Sequence, residues 1–108
     1  MKLTMISEKE KNGRIARDYE IGAYSVHEVI GEDWRNIDVR YIDRIKAQDE
    51  FRPEIYFENS LFGEEKEEFK IQTTAYGLLD LEDYKTFIKS CAEAFEVAKT
   101  LAEELLQK

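Results

Sequence analysis

The chain has little of several residue types on which common functional sites depend. It holds one cysteine, one histidine and one proline among 108 residues. Cys91 has no second cysteine for an internal disulfide, and one thiol with one imidazole is too few for a zinc site, which needs three or four ligands. A serine or cysteine nucleophile needs an adjacent base, and His27 is the one imidazole present. We therefore predict no metal, no cofactor and no catalytic residue.

Long apolar runs and glycine-rich loops are also missing. No segment approaches the roughly 20 apolar residues of a membrane-spanning helix. The first residues alternate apolar with polar side chains, which is unlike the continuous apolar run of a signal peptide. Each of the five glycines stands alone, so a phosphate-binding loop is not indicated. We expect a cytoplasmic protein without membrane contact.

Basic residues are scarce in the second half of the chain. Residues 1–52 hold ten Lys/Arg and eleven Asp/Glu, a balance of −1, whereas residues 53–108 hold six and thirteen, a balance of −7. The total of −8 opposes general binding to phosphate backbones, because that attraction comes from Lys and Arg. A local basic strip on the nearly neutral first half remains compatible with these numbers.

Alternating apolar and polar residues predict strands over most of residues 1–76. Asn12-Gly13 stands between two such runs and favours a type I′ hairpin turn, which needs positive φ at both central positions. Gly22 interrupts a later run, either as a bulge that bends one long strand or as a tight turn between two strands; we favour the bend. On the following stretch, His27 is predicted to be exposed, on the face opposite Tyr24 and Val26.

The middle of the chain gives further strands and two connections. A long alternating run extends from Trp34 to Ile45, followed by a charged loop from Ala47 to Pro53. A short strand at Ile55 and Phe57, a solvated connection from Asn59 to Glu68 and a strand from Phe69 to Thr73 complete the predicted sheet.

The last quarter of the chain predicts one long amphipathic helix. Between Asp80 and Lys108 there is no Gly or Pro, and Asp80 is a suitable N-cap with Asp83 three residues on. The apolar side chains recur every three or four residues and form two columns, Tyr84, Ile88, Cys91, Phe95, Ala98, Ala102 and Leu105, and beside it Phe87, Ala94 and Leu101. Cys91 is thus interpreted as a small core residue.

These elements predict a single α+β domain over residues 1–108. A bent antiparallel sheet of about five strands (1–76) packs against the C-terminal helix (80–107). The helix would be about 40 Å long, whereas five strands span only about 20 to 25 Å. We therefore expect its end to overhang the sheet and to form a homodimer contact. The dimer-interface candidates are Phe95, Ala98, Leu101 and Leu105.

Basic and aromatic residues on the predicted strands indicate one possible binding surface. Single-stranded nucleic acids bind where rings stack on bases and cations follow the backbone. The candidates are Arg14, Arg17, Tyr19, Tyr24, Arg40, Arg44, Tyr56 and Lys70. Asp18, Asp38 and Asp43 lie among them, so cross-strand ion pairs on a solvated face are an alternative explanation of the same residues.

The order of strands followed by one C-terminal helix resembles the whirly and Pur type of single-stranded nucleic-acid-binding domain and the related domain of transcriptional positive cofactors. The segments from Gly77 to Tyr84 and from Ala94 to Ala98 also resemble the ends of small uncharacterised proteins of Gram-positive phages and mobile elements. The resemblance implies a sheet packed by a helix and dimerisation through helices. It includes no diagnostic binding motif.

The leading hypothesis is a non-enzymatic binding module that holds single-stranded nucleic acid on the open face of the sheet. The alternative is an acidic protein-interaction or inhibitor protein, which the net charge favours. A small-molecule binder or enzyme with a cavity between helix and sheet is the third class.

Overall fold

The structure, a computed structural model, describes residues 1–60, 68–73 and 75–106. The strands are β1 (Leu3–Lys11), β2 (Arg14–Ile21), β3 (Tyr24–Ile30), β4 (Trp34–Tyr41), β5 (Glu54–Ser60) and β6 (Lys70–Gln72). The helices are α1 (Arg44–Asp49) and α2 (Leu81–Leu101), and a π-helical turn at Ala102–Leu106 continues α2. Residues 61–67 of the predicted solvated connection lie outside the described residues.

The six strands form one open antiparallel sheet in the order β1-β2-β3-β4-β5-β6, so each strand pairs with its neighbours in sequence. Together with the long C-terminal helix, this confirms the predicted α+β class. The sheet has six strands instead of about five.

The additional strand arises at Gly22, where the preferred interpretation as a bend is wrong. Ile21 pairs with Tyr24 across a two-residue turn of Gly22 and Ala23, and β3 returns antiparallel to β2. Gly22 has a φ of 57°, which the first central position of a type II′ turn requires and glycine adopts without steric cost. A bulge and a tight turn can each place a single glycine within an alternating run. The alternation of apolar and polar residues therefore could not distinguish the two at Gly22.

The first hairpin turn is confirmed as predicted. β1 ends before Asn12 and β2 begins after Gly13, with φ values of 53° and 75° at these two residues. Both values are positive, as a type I′ turn requires. The turn places Lys11 directly opposite Arg14.

The fourth strand ends at Tyr41, before the predicted end at Ile45. Asp43 caps α1, because its side chain accepts a hydrogen bond from the Lys46 backbone N–H at 3.0 Å. Arg44 and Ile45 are therefore helical and not extended. The start of the predicted charged loop, from Ala47 to Asp49, is helical as well. Aspartate side chains compete with strand extension by bonding nearby backbone N–H groups, and this competition ended the strand.

α2 begins where the sequence predicted. The Asp80 side chain accepts a hydrogen bond from the Asp83 backbone N–H at 2.8 Å, which satisfies one of the unpaired donors at the helix start. The helix then continues through its π-helical turn to Leu106, and the last two residues of the chain lie outside the described part.

The buried face of α2 differs from the predicted stripe. In its second column Ala94 and Leu101 are fully buried and Phe87 is partly buried, whereas Tyr84, Ile88 and Phe95 of the first column are more than half exposed. The helix buries Ser90, Ala94, Val97, Ala98, Leu101 and Leu105 against a core that includes Ile21, Tyr24, Val26, Ile37, Val39, Ile55 and Phe57. The face is therefore rotated toward Val97, a residue outside both predicted columns.

Arg52, in the connection before β5, joins this connection to α2. Its guanidinium donates to the Glu93 carboxylate, lies 3.4 Å from the Tyr24 hydroxyl and stacks over the Tyr41 ring at 4.3 Å. Nearby, the Ser90 hydroxyl donates to the Glu50 carbonyl at 2.7 Å. These contacts hold the helix on one face of the sheet, called the inner face here, and leave the opposite, outer face without the helix.

Candidate nucleic-acid interface

The outer face of the sheet is built from the residues that alternate with the core positions. Residues directly opposite one another in the register share a face. One row across the strands is Lys11 and Arg14; the next is Lys9, Ala16, Val29, Asn36 and Glu58; a third is Ser7, Asp18, His27, Asp38, Tyr56 and Lys70. A fourth row holds Thr4, Glu20, Ser25 and Arg40.

Only four of the eight nucleic-acid candidates lie on the outer face. By the strand register these are Arg14, Arg40, Tyr56 and Lys70.

The other four candidates lie elsewhere, which corrects the prediction of one common surface. Tyr19 and Tyr24 are buried in the core. Arg17 lies on the inner face opposite Glu28, and Arg44 is in α1. The two tyrosines are needed to fill the core under α2, so their rings cannot stack on bases. The remaining aromatic candidate, Tyr56, is 38% exposed.

Three cations gather at the β1–β2 end of the outer face, and sequence reasoning had included only Arg14 among them. Lys9, Lys11 and Arg14 line a shallow depression together with Ala16 and Val29. None of the three cations forms an ion pair with a residue in the described part of the chain. The predicted Asn-Gly turn was the signal that could have found Lys9 and Lys11, because it fixes the register that brings them beside Arg14.

Trp34 adds an aromatic ring to the same end of the sheet. The Arg14 guanidinium lies 5.4 Å from the centre of the Trp34 ring, within cation–π distance. The indole packs directly on Gly31, where an added Cβ would come within 2.2 Å of it. A side chain at Gly31 would therefore displace the ring, so glycine is required here for close packing.

The centre of the outer face holds a cross-strand pair of His27 and Asp18. Such pairs on a solvated face were the alternative explanation for the charged residues of the strands. His27 is exposed, as predicted, and its Nδ1 lies 2.7 Å from Asp18 Oδ1. The Ser7 hydroxyl donates to the other oxygen of Asp18 at 3.0 Å. The hydrogen bond with His27, followed by that from Ser7, holds the pKa of Asp18 below its usual value.

This pair gives a pH-dependent expectation. A carboxyl whose pKa is lower in the folded state stabilises the fold above its unfolded pKa of about 3.9, and the gain is lost as the pH falls through the folded value. We expect Asp18→Asn to be less stable than the unchanged protein at pH 7, by less than about 1 kcal/mol because the pair is half exposed. Urea unfolding at pH 7 and near pH 2.5 measures this, and a difference that persists undiminished at the acid pH contradicts it.

A polar cluster on the inner face was missed by sequence reasoning. The Glu28 side chain is fully buried, and its Oε1 accepts from the Tyr19 hydroxyl at 3.0 Å and lies 3.5 Å from Arg17. Its Oε2 accepts from Arg35 Nε at 2.7 Å. Burial, then the hydrogen bond to Glu28, raises the pKa of Tyr19. The partners satisfy the carboxylate, so the cluster is structural. Alternation with Tyr24 and Val26 indicated the face of Glu28, but the two arginines that pair with it come from neighbouring strands and depend on the register.

The dimer-interface candidates are also divided. Ala98, Leu101 and Leu105 are buried within the subunit, and only Phe95 is exposed, at 58%. The expected overhang of the helix end is therefore wrong: Leu105 lies beside Leu3 and Tyr19, so the end of the helix reaches the first strands. The prediction assumed five strands, and the sixth strand makes the sheet wider than expected.

Cys91, predicted as a small core residue, is partly buried, and burial raises the pKa of its thiol. Within residues 1–60, 68–73 and 75–106, no group of three His, Cys, Asp or Glu side chains is placed to hold a metal ion. No helix in this part of the chain is long and apolar enough to cross a membrane.

Comparisons with family models, curated proteins and solved structures find no match to this chain.

Proposed function

We propose that the protein is a non-enzymatic binding module that acts as a homodimer and holds single-stranded nucleic acid on the outer face of its sheet. The observation that carries this proposal is the cluster of Lys9, Lys11 and Arg14, three cations that form no ion pair within the described part of the chain. On a chain with a net charge of −8, three neighbouring cations outside close ion pairs form a surface with chemistry suited to phosphates. Of the three, Lys9 is also attracted by the nearby Asp18 carboxylate.

Aromatic rings beside these cations support a single strand over a duplex. Trp34 lies next to Arg14, and Tyr56 is exposed further along the outer face. Unpaired bases stack on such rings, whereas in a duplex the faces of the bases are already stacked on each other. The outer face is shallow and open at its basic end, which suits an extended strand.

A protein partner is the second candidate, and a different observation favours it. The exposed side of α2 carries large apolar residues, among them Leu81 and Phe95. Apolar surface of this kind binds proteins and contributes little to contacts with phosphates. The outer face and the exposed side of α2 therefore support different partners.

The test compares oligonucleotide binding by two double variants with equal changes of charge. We expect the unchanged protein to bind a fluorescently labelled single-stranded oligonucleotide at low salt, with affinity that falls as salt rises. Lys11→Gln with Arg14→Gln removes two phosphate contacts, so the slope of log affinity against log salt should decrease by roughly 1.4. Fluorescence anisotropy across a salt titration measures both quantities.

The matched control is Arg44→Gln with Lys46→Gln, two exposed cations of α1 that belong neither to the outer face nor to the exposed side of α2. This variant has the same net charge as the first and should bind like the unchanged protein. Absence of binding at low salt, affinity independent of salt, or equal losses in the two double variants would each overturn the outer-face proposal.

A further inference from the structure

One side of α2 presents a continuous apolar stripe that nothing in the described part of the subunit covers completely. We define the helix stripe as Leu81, Tyr84, Ile88, Cys91 and Phe95. Leu81 is 89% exposed, Tyr84 and Ile88 are each 53% exposed, and Phe95 is 58% exposed. These side chains come from the same helix that buries Ala94, Val97 and Leu101 against the sheet. α2 is thus apolar on two sides, and the subunit uses one of them.

The spacing of the helix stripe is that of a helix–helix contact. Its residues follow one another at intervals of three, four, three and four, the repeat that keeps apolar side chains on one side of a helix facing a second helix. At 1.5 Å per residue the stripe is roughly 21 Å long. A solvated helix face needs no such repeat, so the pattern indicates a partner.

The exposed apolar area is the amount that one side of a stable dimer requires. A buried aromatic side chain contributes about 150–250 Å², so the exposed halves of Tyr84 and Phe95 supply roughly 100 Å² each. Leu81 and Ile88 bring the total to on the order of 400 Å². A standard interface buries about 800 Å² per partner, of which somewhat more than half is apolar.

We propose that the helix stripe is the contact through which two copies of this chain associate. This inference rests on the proposed homodimer and names the surface that forms it. A two-fold contact uses the same patch on both copies, and the heptad spacing of one stripe matches that of its copy. In the heptad of the stripe, the charged residues at the directly flanking positions are Asp80, Lys85 and Lys99. One acid and two bases nearly balance, so the contact avoids the repulsion expected from the net charge of the whole chain.

Sedimentation velocity on the full chain tests this contact. We expect the unchanged protein to dimerise and Ile88→Lys with Phe95→Lys to weaken dimerisation by at least roughly 30-fold, because central apolar residues dominate such contacts. Both positions are exposed in the subunit, so the circular dichroism spectrum should not change. The control is Ile45→Lys, a 77% exposed position on α1, which should leave dimerisation unaltered.

Cys91 supplies a second measurement, since it lies near the middle of the stripe and is the one cysteine of the chain. A two-fold contact centred there brings the two thiols close, so a short bismaleimide should join two copies covalently, and Ile88→Lys with Phe95→Lys should prevent this. A monomer at all concentrations would overturn the homodimer itself. A dimer that keeps its affinity in the double variant and is not cross-linked would overturn only the stripe. Neither result depends on oligonucleotide binding.

Discussion

Leu101→Ala is expected to lower the free energy of unfolding by about 3 kcal/mol. Leu101 is fully buried between α2 and the sheet, at the centre of the face that attaches the helix. Truncation removes the transfer free energy of the missing carbons and leaves a cavity that the surrounding strands fill only partly. Because domains of this size are stable by only about 5–15 kcal/mol, the loss should be visible in urea unfolding as a lower midpoint with an unchanged slope.

Ile45→Ala is the matched control for this prediction. It removes a similar number of carbons from a residue that is 77% exposed on α1, and surface substitutions of this kind change stability by less than about 0.5 kcal/mol. Equal losses in the two variants would show that α2 does not pack on the sheet through Leu101. The sequence had assigned Leu101 to a dimer contact, so this experiment also separates core packing from association.

Glu28→Gln is expected to cost about 2–3 kcal/mol of stability. The substitution keeps the size of the side chain but replaces a buried carboxylate by a neutral amide. Arg17 and Arg35 then lose the charge that holds them on the inner face. The amide N–H₂ can donate to the Tyr19 hydroxyl but not to either guanidinium, so at least one arginine loses its acceptor. The expected loss of stability is smaller than for a wholly buried ion pair, because the side chains of Arg17 and Arg35 are 31% and 26% exposed.

Glu58→Gln provides the comparison on the same sheet. Glu58 is exposed in β5, on the outer face, so the same chemical change should alter the unfolding free energy by less than about 0.5 kcal/mol. Thermal and urea unfolding at pH 7 measure both variants. A Glu28→Gln protein as stable as Glu58→Gln would contradict the structural role of the buried cluster.

Leu101→Ala and Glu28→Gln also distinguish loss of folding from loss of binding or association. The proposed nucleic-acid surface is on the outer face, and the proposed dimer contact is on the exposed side of α2. Leu101 and Glu28 belong to neither surface, so their effects on binding should follow from lost folding alone. Substitutions of Arg14 or Phe95 should instead change binding or association in a folded protein, since both residues are exposed.

Local signals in the sequence were sufficient where one residue or dipeptide determines a conformation. Asn12-Gly13 predicted the first turn because few other residues tolerate positive φ at two successive positions. Asp80 predicted the start of α2, since its side chain bonds the backbone three residues ahead. The α+β class followed from the change of apolar period from two to about three and a half along the chain.

The binding candidates were less accessible to such reasoning. Tyr19 and Tyr24 were chosen by residue type, and their burial depends on which strand face lies under α2. Arg17 is on that face also, paired with Glu28. Alternation along β1 puts Lys9 and Lys11 on one face and Glu8 and Glu10 on the other. Which of these faces lies away from α2, beside Arg14, is set by the pairing with β2.

By itself the sequence determined the α+β class, the first hairpin and the long closing helix, because turns, caps and apolar periods act over a few neighbouring residues. Only the tertiary structure decided which side of α2 is buried. An isolated helix does not distinguish one apolar side from another. The burial of the side with Val97 and the exposure of the side with Phe95 follow from the shape of the sheet and from anchors such as Arg52, which are distant in the chain.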